Sequence, residues 1–586
     1  MDEKASFLSR RREDALIKIE YYLSRAGGYL QLTDVDGKGL DVWRTEYTNS
    51  DKTWEIHIIF PEFYPDELPK IKIINSENLF LKNPHVDDNG YLCIIPDSSS
   101  FDSEDTISVF EYLIKSTEEI LDGTSKSDFQ DEFDSYWNRN VSPNQNPCVL
   151  ISSPENLDSQ CFAFIGEKIV CIANDEKELI SWMKNISASD KNNFKKSICF
   201  ILRLDKPLLP ENYPNSIYDV LQIIKVEEHE IYGDFVNFIS NSNDYCFILL
   251  VQKNVSRYSL GGILLSSPFL CKRSELSGGF RMGHVPPNTL VNRATNILKD
   301  RLINRCKINR ADHNWIHSRG GDGKLLNKKN VVLLGCGSLG GYLAHYLVKA
   351  GIGNILLIDK DRLEFANIGR HILGGDCVEK LKAIALAEKL KKEMPHLAIN
   401  GIGCDWRIAY EENGTLFQDA DLIIATMADW KTEKPLNLLA RVNNLPSVIY
   451  AWLEPFAIAG HCFISTPGSG CIECCMNNKG IFNKRVACFD YDILKRETGT
   501  CTYYQEYGPS ALMPILSMVV SEIIKNLSSF SNESTLSTWI SDKNHLKSVN
   551  AILTEEWTTQ VNNLGYSTIY HNKITPNSKC KICSKI

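Results

Sequence analysis

The cysteines of this chain carry its first chemical signal. Cys471-x-x-Cys474 and Cys580-x-x-Cys583 are two thiolate pairs with the right bite for a tetrahedral structural zinc. The second pair sits at the end of the sequence, so a zinc ion there ties the tail to the body. Cys475 adjoins the first pair and offers a competing register. Cys93 closes the stretch NPHVDDNGYLC, just after an Asn-Gly turn; it is either a nucleophile held in a loop or a small buried hydrophobe. Cys501 stands in the polar run ETGTCTYYQEY ahead of a long amphipathic helical pattern. A thiol in a loop near a helix start can be accessible and have a lowered pKa, the conditions for a nucleophile. Cys488 is the alternative.

A second constellation lies in NVVLLGCGSLGGYLAHYLVKAGIGNILLIDKDRLEFANIGRH. Gly335, Gly337 and Gly340 form G-x-G-x-x-G between a strand and a helix, where backbone amides and the helix N-terminus meet a phosphate. Asp359 ends the following strand, where a carboxylate binds ribose hydroxyls. An NAD-dependent oxidoreductase fits these four residues equally well. Asp361, Asn367, Arg370 and Lys382 then decide for ATP, because cations hold a polyphosphate and a carboxylate holds magnesium. Asp429, after the apolar run DLIIAT, is a second candidate for the metal. One of Arg305, Arg310 and Arg319, ahead of the glycine loop, is a further candidate for reaching the nucleotide.

These residues need elements to position them. Residues 6–26 have helical apolar spacing at Leu16, Ile19, Tyr22 and Leu23. TWEIHIIF (53–60) and KIKII (70–74) are strand-like, and TISVFEYLIKSTEEILDG predicts a helix ending at Gly123. The polar stretch VSPNQNP marks a first boundary and SELSGGFRMGHVPPNT a second. Between them short apolar strands alternate with helical stretches. From Val331 the order strand, glycine turn, helix, strand opens a doubly wound sheet. The fold class is therefore multidomain α/β, with expected domains at 1–145, 146–290 and 291–586.

Length and composition bound the function class. A chain of 586 residues exceeds what one core supports. No signal peptide opens the sequence, and no apolar run reads as a membrane span; the expectation is a cytoplasmic protein with reduced thiols and no membrane partner. The net charge of −9 is uneven: residues 1–145 hold 15 Lys+Arg and 29 Asp+Glu. Such an acidic module is a poor partner for phosphates, so nucleic acid is set aside.

The glycine loop with Asp359, Asp361, Asn367, Arg370 and Lys382 resembles the ThiF/MoeB and ubiquitin-activating adenylation family, from about Lys328 to the C-terminus. The resemblance implies a Rossmann-like ThiF fold, ATP on those residues, magnesium on the late Asp429, and zinc on the paired cysteines. At the late motif this chain has TMADW where the family commonly has a Thr-Asp-Asn run. In the family, the thiol attacking the acyl-adenylate sits in the loop before the helix that follows Cys501.

IIFPEFYPDELPKIKI (58–73) resembles the ubiquitin-conjugating α+β fold over roughly residues 1–140. Its three prolines fix φ in a rigid connection. The family's His-Pro-Asn triplet is replaced here by Asn83-Pro84-His85, and Cys93 falls where the nucleophile belongs. The resemblance implies that His85 either donates a hydrogen bond to the oxyanion or braces the loop.

An activating-type domain fused behind a conjugating-type domain resembles the bacterial fusion of type II CBASS antiphage operons. It implies a thioester relay from Cys501 to Cys93 and on to target-protein lysines. The implied acyl donor is a CD-NTase (cyclic nucleotide synthase), and the implied assembly is a homodimer. Residues 146–290 are then a linker or a degenerate adenylation-like domain. The rivals are a sulfur-transfer adenylating enzyme, a scaffold binding a ubiquitin-like tail, and the NAD enzyme.

Overall fold

A computed structural model of the chain describes residues 7–32, 40–49, 52–74, 79, 81–94, 101–123, 126–139, 141, 147–166, 169–186, 194–227, 229–241, 245–254, 257–266, 278–280, 285–298, 303–322, 326–477, 479–489, 506–529, 531–578 and 580–583. Two compact units result. The first comprises Met1–Val149, Pro154–Asn174 and Lys195–Asn309; the second Leu150–Ser153, Asp175–Phe194 and Arg310–Ile586.

The first unit begins with an antiparallel meander of β1 (Leu30–Leu32), β2 (Asp41–Thr48), β3 (Thr53–Phe60) and β4 (Lys70–Ile73). On β3 the alternate residues Trp54, Ile56, Ile58 and Phe60 share one face, as period-two patterning requires, and all are buried. Two helices supply the other half of that core. Phe7–Ala26 presents Ala15, Ile19 and Leu23 at four-residue spacing, and Thr106–Gly123 presents Phe110 and Leu121. Phe60 stacks on Phe110 and meets the edge of Tyr64.

A mixed sheet follows in the same unit. Its strands are β5 (Cys148–Leu150), β6 (Gln160–Ile165), β7 (Val170–Ala173), β8 (Lys195–Leu204), β9 (Tyr245–Lys253), β10 (Tyr258–Ser266), β11 (Asn304–Cys306) and β12 (Ile308–Arg310). The spatial order is β11-β10-β9-β8-β6-β7-β5-β12. β8 and β9 pair in parallel, and helices Ile217–Glu227 and His229–Asn241 form the crossover that such a pair needs. Helix Phe133–Arg139 seats Trp137 against Phe133 and Tyr213, with its indole N–H donating to the Cys306 carbonyl at 3.0 Å. Gly261 makes this seat possible: a Cβ there would lie 2.9 Å from the indole.

The second unit is doubly wound. Its strands are β13 (Asn330–Leu334), β14 (Asn354–Ile358), β15 (Ala398–Ile402), β16 (Leu422–Ala425), β17 (Val448–Leu453), β18 (Ala459–Ser465), β19 (Ala487–Cys488), β20 (Ser534–Ile540), β21 (Ile552–Leu553) and β22 (Ile569–Ile574). The main sheet runs β15-β14-β13-β16-β17-β18-β20-β22, parallel from β15 to β17 and antiparallel beyond. Both faces are covered, so β13 reads as a continuous apolar run: Val331 and Leu333 enter one core, Val332 and Leu334 the other. Chain order reverses at β13, between β14 and β16, and a crevice opens at such a switch point.

Helix Pro509–Ser528 is, by length and composition, apolar enough to cross a membrane, as a buried core helix also is. Its apolar face, Leu512, Ile515, Leu516, Val519 and Ile523, is buried in the core of this unit. Gly460 on β18 admits it, since a Cβ there would lie 2.1 Å from Ile515.

Candidate active sites

The glycine loop explains its own residues. Gly335 has φ +92°, open to glycine and costly for other residues. At Gly340 a Cβ would lie 2.0 Å from the Gly335 carbonyl oxygen, so nothing larger fits. Gly337 faces open space and caps helix Ser338–Ala350, which leaves the helix N-terminus exposed to a ligand.

Two adjoining cavities meet at Gly337 and Thr426. One, of about 260 Å³, is lined by Asp359, Asp361, Asp405, Asp429 and Trp406 among others. The other, of about 310 Å³, is lined by Asn367, Arg370, His371, Lys382, Trp452 and Tyr507 among others. Carboxylates thus gather on one side of the glycine loop, and the cations Arg370 and Lys382 on the other.

The carboxylates are held in different ways. Asp359 accepts from the backbone N–H groups of Cys336 at 2.6 Å and Asp361 at 2.8 Å. Burial raises its pKa, against those two bonds. Asp361 is more exposed and lies 3.7 Å from Lys382 Nζ. Asp429 caps helix Trp430–Val442, accepting from the Lys431 N–H and from the Thr432 hydroxyl. Asp405 is held down to about 2, chiefly by its hydrogen bond from Arg407.

Four residues at this site have no signal of their own in the sequence. His371 is buried; its Nε2–H donates to the Cys336 carbonyl at 2.7 Å while Nδ1 accepts from the Leu373 N–H. That fixes one tautomer, and burial lowers its pKa, so a neutral imidazole buttresses the loop from behind. Thr426 Oγ1 donates to the Gly335 carbonyl at 2.8 Å. The Tyr507 ring lies under the Arg370 guanidinium. Glu433 is 5% exposed and accepts from the Ala428 N–H; burial raises its pKa to about 8.

Two candidate arginines are engaged elsewhere. Arg305 lies over Trp137 and Tyr213 and donates to the Pro214 carbonyl, within the first unit. Arg310 makes a two-pronged bond to buried Asp312, at 2.8 and 2.9 Å.

In the first unit Cys93 is exposed and lines a groove of about 740 Å³ with Asp66, Pro69, Tyr91, Leu92 and Phe101. β4 extends its pairing to the segment before the cysteine, through Ile73 N–H to Gly90 and Leu92 N–H to Ile71. Asp87 closes the turn by accepting from the Asn89 and Tyr91 N–H groups, a structural task. His85 has φ +63°. Its N–H donates to the Tyr136 hydroxyl at 2.7 Å, and its carbonyl accepts from Cys93 N–H at 2.8 Å. Its ring nitrogens stand 3.6 Å from Glu132 and 3.9 Å from Asp128. These contacts favour the bracing reading of His85.

Comparison with known proteins agrees with this division. The ThiF family profile matches residues 315–560, and the profile of prokaryotic E2 family B matches residues 31–144. The chain is a fusion of an E2-like module with a ThiF module. It is 26% identical over 463 residues to the ATP-dependent ubiquitin transferase-like protein Cap2 of Escherichia coli (strain TW11681), covering 70% of this chain and 74% of that one. It is 28% identical over 158 residues to the sulfur carrier protein ThiS adenylyltransferase of Bacillus subtilis (strain 168), covering 26% and 46%. The crystal structure of Escherichia coli MccB with ATP aligns with a TM-score of 0.32 at 18% identity, over 51% of this chain and 82% of that one.

The second unit also holds the cysteine pairs. Cys471, Cys474, Cys580 and Cys583 converge, with Sγ···Sγ separations of 3.5, 3.6 and 4.0 Å. Those are far beyond a disulfide. They match the roughly 3.8 Å edge of a sulfur tetrahedron built on Zn–S bonds of about 2.3 Å. Cys475 is buried in the adjacent apolar core, which pushes its thiol up to about 12. Cys475 is not among the four that converge. Cys488 is exposed on β19, paired with Ile552 of β21. Cys501 lies outside the described residues.

Proposed function

We propose that this chain is an ATP-dependent protein-conjugating enzyme that passes an acyl group from the ThiF module to the E2-like module. The observation that carries the reading is the split around Gly337 and Thr426, carboxylates to one side and Arg370 and Lys382 to the other, in a chain that also exposes Cys93. We assign the E2-like domain to residues 1–145 and the adenylation domain to 291–586. Residues 146–290 lie between them.

In this reading Gly335, Gly337, Gly340 and Asp359 hold the nucleoside and its phosphates, and Asn367, Arg370 and Lys382 hold the polyphosphate. Asp361 and Asp429 line one cavity with carboxylate oxygens, the donors a hard Mg²⁺ takes. Magnesium, when bound, neutralises phosphate charge. The C-terminal carboxylate of a donor protein attacks the α-phosphorus, and pyrophosphate leaves. Cys501 thiolate then attacks the acyl-adenylate carbonyl and AMP leaves, giving a thioester. Cys93 takes the acyl group by thioester exchange, releasing Cys501. A target lysine amine finally displaces Cys93 to form an isopeptide. His85 positions the Cys93 loop. We further propose a CD-NTase as donor, antiphage CBASS signalling as context, a homodimer as assembly, and Zn²⁺ on the four converging cysteines; likeness to the ubiquitin transferase-like Cap2 proteins supports the conjugating reading.

The test is intact-mass analysis without reductant, after incubation with MgATP and the donor. A thiol-labile donor adduct is expected on wild type. It should be absent in Cys501→Ala and stalled on Cys501 in Cys93→Ala. Adduct retained in Cys501→Ala and lost in Cys488→Ala would move the first acceptor. AMP release with no adduct on either cysteine would overturn the relay and leave adenylation alone.

A further inference from the structure

Three histidines of the second unit converge at the end of the sheet opposite the nucleotide site. His313 and His317 are four residues apart, at the start and just past the end of the short helix His313–Ile316, so both lie on one face. His396 comes from the turn between helix Lys382–Glu393 and β15. One ligand nitrogen from each ring lies within 4.8 Å of the other two. His317 Nε2 and His396 Nε2 are 3.2 Å apart, close to the roughly 3.3 Å edge set by two Zn–N bonds of about 2.0–2.1 Å in a tetrahedron. β14 and β15 start beside this cluster and the glycine loop follows the far end of β13, so a strand of five residues, about 16 Å, separates the two sites.

The surroundings are built around the rings. A Cβ at Gly321 would lie 2.6 Å from His317 Cβ, and one at Gly351 would meet both His317 and His313 at 3.3–3.4 Å. Asp312 caps the helix, is 2% exposed and is gripped by Arg310. Asn185 donates to the Pro395 carbonyl and so fixes the turn before His396. His317 is hydrogen-bonded to the Lys349 backbone, the outer contact that orients a ligating imidazole. His313 Nε2 is buried with no hydrogen-bond partner among the described residues, which is costly for a cluster whose only task is packing.

We propose that His313, His317 and His396 form a second metal centre, separate from the four-cysteine cluster, that takes a divalent transition-metal ion such as Zn²⁺. Neutral imidazole is the ligating form. Three nitrogen donors leave one tetrahedral position for solvent. The ion fastens the segment before β13, the end of helix Ser338–Ala350 and the turn into β15. Its role is structural, remote from the adenylation chemistry.

The test loads the stripped, full-length chain with Co²⁺ and separately with Zn²⁺. Thiolate sites give a sulfur-to-cobalt charge-transfer band; an all-nitrogen site gives only ligand-field bands. Wild type is expected to bind about two equivalents, one of each type. His396→Gln should lose about one equivalent and keep the charge-transfer band, its residual affinity falling by more than the ~100-fold that loss of an outer-shell partner costs. Cys580→Ser should do the reverse, so failure of the cysteine site is read separately. His313→Ala repeats the test if His396→Gln does not fold. Equal metal content and unchanged ligand-field bands in folded histidine variants would overturn the proposal.

Discussion

The backbone N–H of Cys93 donates to the His85 carbonyl at 2.8 Å, and the N–H of His85 donates in turn to the Tyr136 hydroxyl at 2.7 Å. The candidate nucleophile is thereby tied through one residue to helix Phe133–Arg139. Burial pushes the Tyr136 phenol up to about 12, so it stays neutral and keeps both its donor and its acceptor.

Tyr136→Phe removes the acceptor and leaves the His85 N–H unpaired, at a cost of about 1–3 kcal/mol. The His85 loop then holds Cys93 less well. We expect thioester formation on Cys93 to slow by roughly tenfold, one decade per 1.4 kcal/mol, with ATP–pyrophosphate exchange unchanged. Single-turnover charging of Cys93 measures the first and radiolabel exchange the second. An equal loss in both assays would assign Tyr136 a global stability role.

Two glycines of one motif should fail differently. Gly340→Ala drives a Cβ to 2.0 Å from the Gly335 carbonyl, and overpacking of that kind costs about 1–3 kcal/mol or more. Its Tm should fall together with its activity. Gly337→Ala has open space and φ −74°, so Tm should hold while the KM for ATP rises. Thermal melts alongside exchange kinetics separate the two; an unchanged KM in Gly337→Ala would remove that glycine from the nucleotide site.

Glu433 gives the ThiF module a pH dependence. Its folded pKa, about 8, lies above the ordinary value of 4.5, with burial the first cause and Asp429 a further one. A raised pKa means the fold favours the protonated form. Its contribution is complete below about pH 4.5 and is lost as pH rises through about 8, a few kcal/mol in all. Glu433→Gln keeps a neutral side chain at every pH. Its Tm should match wild type near pH 5 and exceed it near pH 9. Parallel Tm profiles across that range would show that Glu433 does not titrate with the fold.

What the sequence disclosed follows from how local each constraint is. Gly335 and Gly340 were legible because a positive φ and a close carbonyl are demands met within a few residues. The helix over 7–26 and the stop at Gly123 were legible for the same reason. His371 and Thr426 were not, because their partners lie 35 and 91 residues away and only the fold supplies them. The histidine cluster went unread, because His396 joins His317 from 79 residues on. Arg305 and Arg310 misled because a cation in a sequence does not reveal whether an aromatic ring or a carboxylate already holds it. Helix Pro509–Ser528 was legible as an amphipathic helix, and its apolar face lies in the core, although by composition alone it also passes for a membrane span.

The four-cysteine cluster makes the last prediction, because it joins residues 109 positions apart. Cys471 and Cys580 are buried and sit with Ile582 in a small apolar cluster of their own. So few apolar contacts do not hold this segment against its conformational entropy; at the proposed zinc site the ion's binding free energy adds to folding. Chelator, or Cys580→Ser, should release the ion and free the segment beyond β22 while the main sheet stays folded. Hydrogen exchange should show lost protection confined to the segments around Cys471 and Cys580, with the strands from β13 to β18 unchanged. Cys475→Ser is the control: its thiol faces the core, so it should lower Tm through a buried hydroxyl and leave zinc content intact. Zinc lost from Cys475→Ser but kept in Cys580→Ser would reverse the assignment of the ligands.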